Sequence, residues 1–247
     1  MEKHEYDKIL ELEETYWWFN GQYTLLKRLL NKYTKPHSQN KHSDLLDIGC
    51  GTGKTLTILN QYGKAQGIDI SDTALEFCKS RNLAALKSDV MNIELPDNTF
   101  DIVTSLGIFY HKAITDDVKG FKEIHRILKP GGRFIITDSA MKCLFGKHDI
   151  AFHGARRYSK AELKHKLEVA GFTVEKISYF NTLMFPIIYL KRKLESLSSS
   201  PPKSDLETQI NPTLNKILTK IYTTEIKTLD KVNYPFGVNI VAVGKKS

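Results

Sequence analysis

The chain has 247 residues, with 36 Lys and Arg against 28 Asp and Glu, for a formal charge of +8. Its 41% hydrophobic and 26% charged residues are those of a soluble protein with a sizeable core, in one large α/β domain or one domain with a cap. The charge permits acidic partners such as nucleic acid, anionic lipid or phosphorylated substrates without singling one out, and no run approaches the ~18 apolar residues of a spanning helix.

In chain order, residues 4–33 read as helical, with apolar positions at Ile9, Leu10, Leu12, Leu25, Leu26, Leu29 and Leu30 interrupted by the aromatic cluster Tyr16-Trp17-Trp18-Phe19. Residues 34–43, with Pro36, read as a polar linker. Strands and helices then alternate, the pattern of a parallel sheet with crossover helices. The expected strands are 45–48, 65–70, 84–88, 100–105 and 133–137, with helices at 54–61, 72–80 and 116–128. Ser71 and Ser159 are expected N-caps, and Pro130-Gly131-Gly132 stops the third helix. A helix from Ser159 to Ala170, a strand from Phe172 to Phe180 and a last strand from Val238 to Val243 follow. Residues 182–236 are a helical insertion before that last strand, longer than a normal loop. It holds the apolar run Leu183–Leu190, the basic Lys191-Arg192-Lys193, a Ser/Pro-rich linker at Ser198–Ser204 and a helical pattern at Leu214–Ile226.

The first strand runs into Asp47-Ile48-Gly49-Cys50-Gly51-Thr52-Gly53, and Asp69 closes the next apolar run. Glycine lets the backbone turn sharply and approach a ligand, a helix N-terminus suits a polar group, and a carboxylate ending the second strand can accept from two ribose hydroxyls. A phosphate-binding loop ending at Gly53-Lys54-Thr55 would need glycine at Ile48. The dinucleotide fingerprint would need glycine at Lys54. Cys50, Cys78 and Cys143 lack metal or disulfide spacing, so no metal site is read. Reduced thiols and an N-terminus without an apolar leader imply a cytoplasmic protein.

The glycine turn Asp47–Gly53 resembles the first motif of class I S-adenosylmethionine-dependent methyltransferases. Gly67-Ile-Asp69-Ile-Ser71, Ser88-Asp89-Val90, Phe100–Ser105 and Leu128-Lys-Pro-Gly-Gly132 repeat the resemblance in order, in the manner of the methyltransferase type 11 family. It implies an α/β fold: a Rossmann-like, seven-stranded methyltransferase sheet with helices on both faces. Residues 1–40 would form an N-terminal helical lid, and 41–247 the methyltransferase domain with a helical cap at about 182–236. The implied cofactor is S-adenosylmethionine, leaving as S-adenosylhomocysteine. Gly49, Gly51, Ser105 and Leu106 would face its methionine and ribose parts, with Asp47 at the head of the motif. Asp69 would hold the ribose hydroxyls, Ile70 would pack on the adenine, and Asp89 would accept from the adenine amine beside Val90.

His111, just past the fourth strand, is the candidate base, weighed against a surface histidine. Tyr110 precedes it where related quinone-pathway enzymes carry an acid. Tyr16, Trp17 and Trp18 are expected either to exclude water from the site or only to dock the N-terminal helix. Arg156 and Arg157, with Tyr158, form either an anion site or an exposed basic turn. The expected reaction is methyl transfer to oxygen or nitrogen of a small-molecule or carrier-linked acceptor. RNA-directed methylation and a non-catalytic S-adenosylmethionine-binding subunit are the alternatives. No Asn/Asp-Pro-Pro-Tyr/Phe follows the fourth strand, which counts against nucleic acid. The insertion could cap the site, meet a second copy in a homodimer, or touch a membrane surface weakly; a monomer is equally consistent.

Overall fold

The computed structural model describes residues 3–34, 43–197, 201–202, 204–207 and 210–247. The two expected linkers, 34–43 and 198–204, lie largely outside these residues. The N-terminal segment forms two helices, α1 (Lys3–Leu12) and α2 (Trp17–Tyr33), where one interrupted helix is expected. The break falls at residues 13–16, where the Glu13 side chain is fully buried against other elements.

The alternating region then runs β1 (Ser43–Ile48), α3 (Lys54–Leu59), β2 (Gly63–Asp69), α4 (Asp72–Ser80), β3 (Ala85–Lys87), β4 (Phe100–Leu106), α5 (Asp117–Ile127) and β5 (Leu128–Ser139). After it come α6 (Lys147–Ala151), α7 (Lys160–Val169), β6 (Phe172–Phe180), α8 (Phe185–Ser196), α9 (Pro212–Thr228) and β7 (Asn239–Lys246). Local chemistry sets many of these ends. Ser71 accepts from Ala74 N and Ser159 from Glu162 N, capping α4 and α7 as expected, and Asp116 caps α5 by accepting from Lys119 N at 2.9 Å. β5 starts earlier than expected. Leu128 already pairs with Phe100, and a register shift between Phe100 and Ile102 accommodates the Pro-Gly-Gly segment inside the strand.

The seven strands form one sheet in the order β3-β2-β1-β4-β5-β7-β6. β7 is antiparallel to both neighbours, and the other pairings are parallel. Alternation along the strands divides the core. Leu45, Ile102, Ile135 and Val243 pack on one face with α2, α3 and α9, whereas Leu46, Val103, Phe134 and Ala242 pack on the other with α5 and α7. The chain moves outward from β1 to β2 and β3, then reverses through β4 and β5. The crevice at the carboxyl ends of β1 and β4 is thus the topological switch point, where open α/β sheets bind ligands.

The insertion does more than bridge β6 and β7. α9 lies against α2 and the sheet, with Tyr222 fully buried; its ring stacks on Phe180 at 6.0 Å and tilts against Trp17 at 5.6 Å. Gly21 makes this approach possible, because a Cβ there would stand 2.0 Å from the Tyr222 ring. Among the described residues, no helix is long and apolar enough to cross a membrane.

Candidate functional site

A cleft of about 270 Å³ opens at the switch point. Its floor is the turn after β1. Gly49, Gly51 and Gly53 all have positive φ, of 70°, 52° and 84°. At Gly49 a Cβ would also strike Ile108, 2.4 Å away. At Gly51 the nearest atom to a Cβ would be Gly49 O at 4.0 Å, so that backbone stands open for close approach. The turn is tied to β2, since Gly49 N and Cys50 N both donate to Ile68 O.

Asp69 sits where β2 ends and reaches back to the turn. Gly51 N donates to its Oδ2 at 3.1 Å and Ser71 N to its Oδ1 at 2.9 Å. Burial pushes this carboxyl upward, and these backbone donors oppose the shift. A carboxylate offers about four acceptor positions, so roughly two remain for hydroxyl groups. Tyr6 of α1 lies over the same carboxyl. Burial and the nearby Asp69 charge push its phenol up to about 12.

The N-terminal segment is fastened onto the glycine turn. Glu13 accepts from Thr52 Oγ1 and from Arg81 Nη2, and Glu14 pairs with Lys54. Tyr16, Trp17 and Trp18 all line the cleft, and the Trp17 indole N–H is buried with no hydrogen-bond partner. Gln22 of α2 spans the floor, accepting from Thr137 Oγ1 at 3.1 Å and donating to Tyr222 OH at 3.4 Å.

The structure brings together Gly49, Gly51, Asp69, Leu106, Tyr16, Trp17, Trp18, Tyr110 and Arg157 around this cleft. Other sequence candidates stand outside its lining. Asp47 is buried beneath it, accepting from Thr104 Oγ1 at 2.6 Å and joining β1 to β4; burial pushes its carboxyl up to about 8. The Ser105 side chain is buried on β4. Ile70 is largely exposed, Val90 is buried in the core, and Asp89 accepts from Met91 N at 2.8 Å in a local turn.

His111 is also outside the lining. Its ring lies 5.7 Å from that of His153, its Nδ1 accepts from Ala113 N, and burial pushes it down to about 4. The two adjacent arginines do not act as a pair, nor do they form an exposed turn. Arg157 is buried and donates to Asp149 at 2.8 Å and to Ala140 O at 3.0 Å. Arg156 turns away to Ile114 O and Asp117. Consecutive residues in an extended segment point to opposite sides, so adjacency in sequence separates these side chains.

Sequence reasoning missed Asp138. It ends β5 at the carboxyl edge of the sheet, lines the cleft and is 1% exposed. Ser139 N donates to its Oδ1 at 2.7 Å, while Oδ2 faces the Phe109 and Tyr110 amides without completing a hydrogen bond. Burial pushes this carboxyl up to about 7. The available signal was an acidic residue directly after the apolar run Phe134–Thr137. Also missed were Glu13 in the N-terminal segment, Gln22, Asn181 and Asn239 in the lining, and the insertion's contribution through Ile188 and Arg192.

A family model described as a methyltransferase domain matches residues 46–136. A demethylmenaquinone methyltransferase of Staphylococcus epidermidis is 34% identical over 113 residues, covering 42% of this chain and 46% of that protein. A Homo sapiens protein named probable tRNA methyltransferase 9B is 33% identical over 105 residues, covering 42% of this chain and 23% of the relative. The chain thus spans less than half the length of these curated relatives. Among solved structures, an S-adenosylmethionine-dependent methyltransferase of Thermotoga maritima superimposes with a TM-score of 0.61 at 20% identity, over 99% of this chain and 96% of that one. That likeness is one of fold.

Proposed function

We propose that this chain is a class I S-adenosylmethionine-dependent methyltransferase that transfers a methyl group to an oxygen or nitrogen of a small-molecule or carrier-linked acceptor, a reading supported by the match of residues 46–136 to a methyltransferase-domain model. The observation that carries the proposal is the pairing of the positive-φ glycine turn with the Asp69 carboxyl at the switch-point cleft. The residues present fit the cofactor. Gly51 leaves its backbone open, and Asp69 keeps acceptor capacity for two ribose hydroxyls. When bound, S-adenosylmethionine supplies a methyl group already activated on a sulfonium sulfur.

The chain's own contribution is then positioning, dryness and a proton acceptor. Gly49 and Gly51 pass backbone against the ligand while Asp69 holds its sugar. Tyr6, Tyr16, Trp17 and Trp18 exclude water from above, fastened through Glu13 and Glu14. Asp138 is the proton acceptor this reading favours over His111. It lines the cleft, and a carboxyl poised near neutrality can take the proton that an attacking hydroxyl or amine sheds. The curated relatives are named for demethylmenaquinone and for tRNA, and a tRNA acceptor would belong to the RNA-directed alternative.

The test is calorimetric titration with S-adenosylmethionine and S-adenosylhomocysteine, with ATP and NAD as controls. Binding of the two sulfur nucleosides alone is expected, and binding of neither would overturn the proposal. Asp69→Ala is expected to weaken cofactor binding by about 1–3 kcal/mol, the range for stranding buried polar groups. Unchanged affinity would show that the cofactor lies elsewhere. A mobility shift with RNA that fades with salt would favour the RNA-directed reading.

A further inference from the structure

α8 has two faces with different surroundings. On the inner face, Ile188 and Arg192 line the cleft, and Arg192 is buried and paired with Asp205 and Glu195. The outer face carries Leu183, Ile187, Leu190, Leu194 and Leu197, successively four, three, four and three residues apart. This spacing places Ile187, Leu190 and Leu194 on one stripe of α8, extended by Leu183 in the turn before it and by Leu197 at its C-cap. They are between 60% and 85% exposed, although each is a large aliphatic residue. Isolated exposed leucines need no explanation, but a contiguous stripe of five marks an interaction surface.

The charges beside the stripe indicate what covers it. At 100° per residue, Lys193 projects along one border, with its ammonium over the Tyr189 ring, and Lys191 along the other, where it pairs with Asp205 and Glu195. The stripe continues onto α9, where Leu183 and Ile217 line a shallow, mainly apolar groove beside Lys220. The chain as a whole carries +8. An apolar strip bordered by lysines suits a bilayer interface, where leucines enter the acyl boundary and lysine stems lie along it with their ammonium groups among anionic headgroups.

We propose that α8 is an interfacial helix that seats this protein on an anionic lipid surface through Leu183, Ile187, Leu190, Leu194 and Leu197. The inner face of the same helix forms a wall of the cleft, so docking sets the cleft beside the lipid. The proposal stands independently of the methyl-transfer reading.

Flotation of the full chain with vesicles tests it, comparing phosphatidylcholine containing phosphatidylglycerol with phosphatidylcholine alone. The expected result is binding to the anionic vesicles, weakened by added salt and much weaker on the neutral ones. Leu190→Ser/Leu194→Ser, on the outer face only, is expected to lower the partition coefficient about tenfold or more, because each lost aliphatic group removes buried area. It should leave the thermal midpoint and the S-adenosylmethionine titration as in the parent, which separates this outcome from any failure of the cofactor reading. Absence of the parent from the anionic vesicles, or undiminished flotation of the double variant, would overturn the proposal. So would a parent dimer by light scattering that the double variant converts to monomer without any vesicle binding, which would assign the stripe to a second copy.

Discussion

Asp69, half-buried, and Asp138, buried, are both carboxyls at strand ends, yet their surroundings assign them different work. Both oxygens of Asp69 are held by backbone amides, an arrangement suited to a fixed ligand acceptor. Asp138 has one oxygen held by Ser139 N and the other without a completed hydrogen bond, and burial brings its titration to about 7. Asp138→Asn is therefore expected to lower turnover by about 10²-fold or more, the scale of general-base contributions, while cofactor affinity stays nearly unchanged. In the parent, turnover should rise with pH through about 7 as the carboxyl deprotonates and becomes able to accept. The variant should lose that limb. Rate–pH profiles measured with an acceptor found by screening check both outcomes. An unaltered profile would return the role to another group, His111 included. Asp69 was legible in sequence because its position relative to the glycine turn is local information. Asp138 was not, because only the folding of β5 beside β4 sets it against the same cleft.

At the scale of elements, α2 comes close to α9 at Gly21. Gly21→Ala would drive a methyl group into the Tyr222 ring, which is fully buried between Trp17, Phe180 and the sheet. Overpacking of this kind costs about 1–3 kcal/mol. A lowered denaturant midpoint is expected, partly restored when Tyr222→Leu is added. An unchanged midpoint would mean that α9 does not pack there in solution. This contact also explains why the insertion reads poorly from sequence. Leu214–Ile226 has a helical pattern, but nothing local says that it meets residues some two hundred positions earlier, as the Trp17 N to Asn215 Oδ1 bond of 2.9 Å does. The same holds for Glu13. Its sequence context is an ordinary acidic helix end, and its burial follows only from the approach of Thr52 and Arg81.

For the whole molecule, the buried carboxyls impose a pH dependence opposite to the usual acid denaturation. Asp47 and Asp138 are raised from 3.8 to about 8 and about 7 by burial, so near neutrality the native state keeps protons that the unfolded chain has released. Stability then falls as pH rises across that window. Asp117 and Asp205 are shifted downward, held by Lys166 and Tyr158 in one case and by Arg192 in the other, and their contributions are lost only in stronger acid. His111, His125 and His148 are shifted downward by burial and act in the opposite sense below about pH 6.5, so the thermal midpoint is expected to decline from about pH 7 to about pH 8.5, and Asp47→Asn should flatten the decline. A midpoint that rises over this range in the parent would contradict the burial of these groups.

From the sequence alone came the strand–helix alternation, the glycine turn, the acid ending the second strand and the caps at Ser71 and Ser159. Each is governed by backbone conformation or by contacts within a few residues. Tertiary structure alone decided which polar groups share the cleft. It set Asp138 in the lining and left His111 outside. It split Arg156 from Arg157, fastened the N-terminal segment through Glu13, and brought the insertion in as both a face helix and a cleft wall. The physical reason is that burial and unmet hydrogen-bonding capacity belong to assemblies of distant segments, and neither is a property of any stretch of chain read by itself.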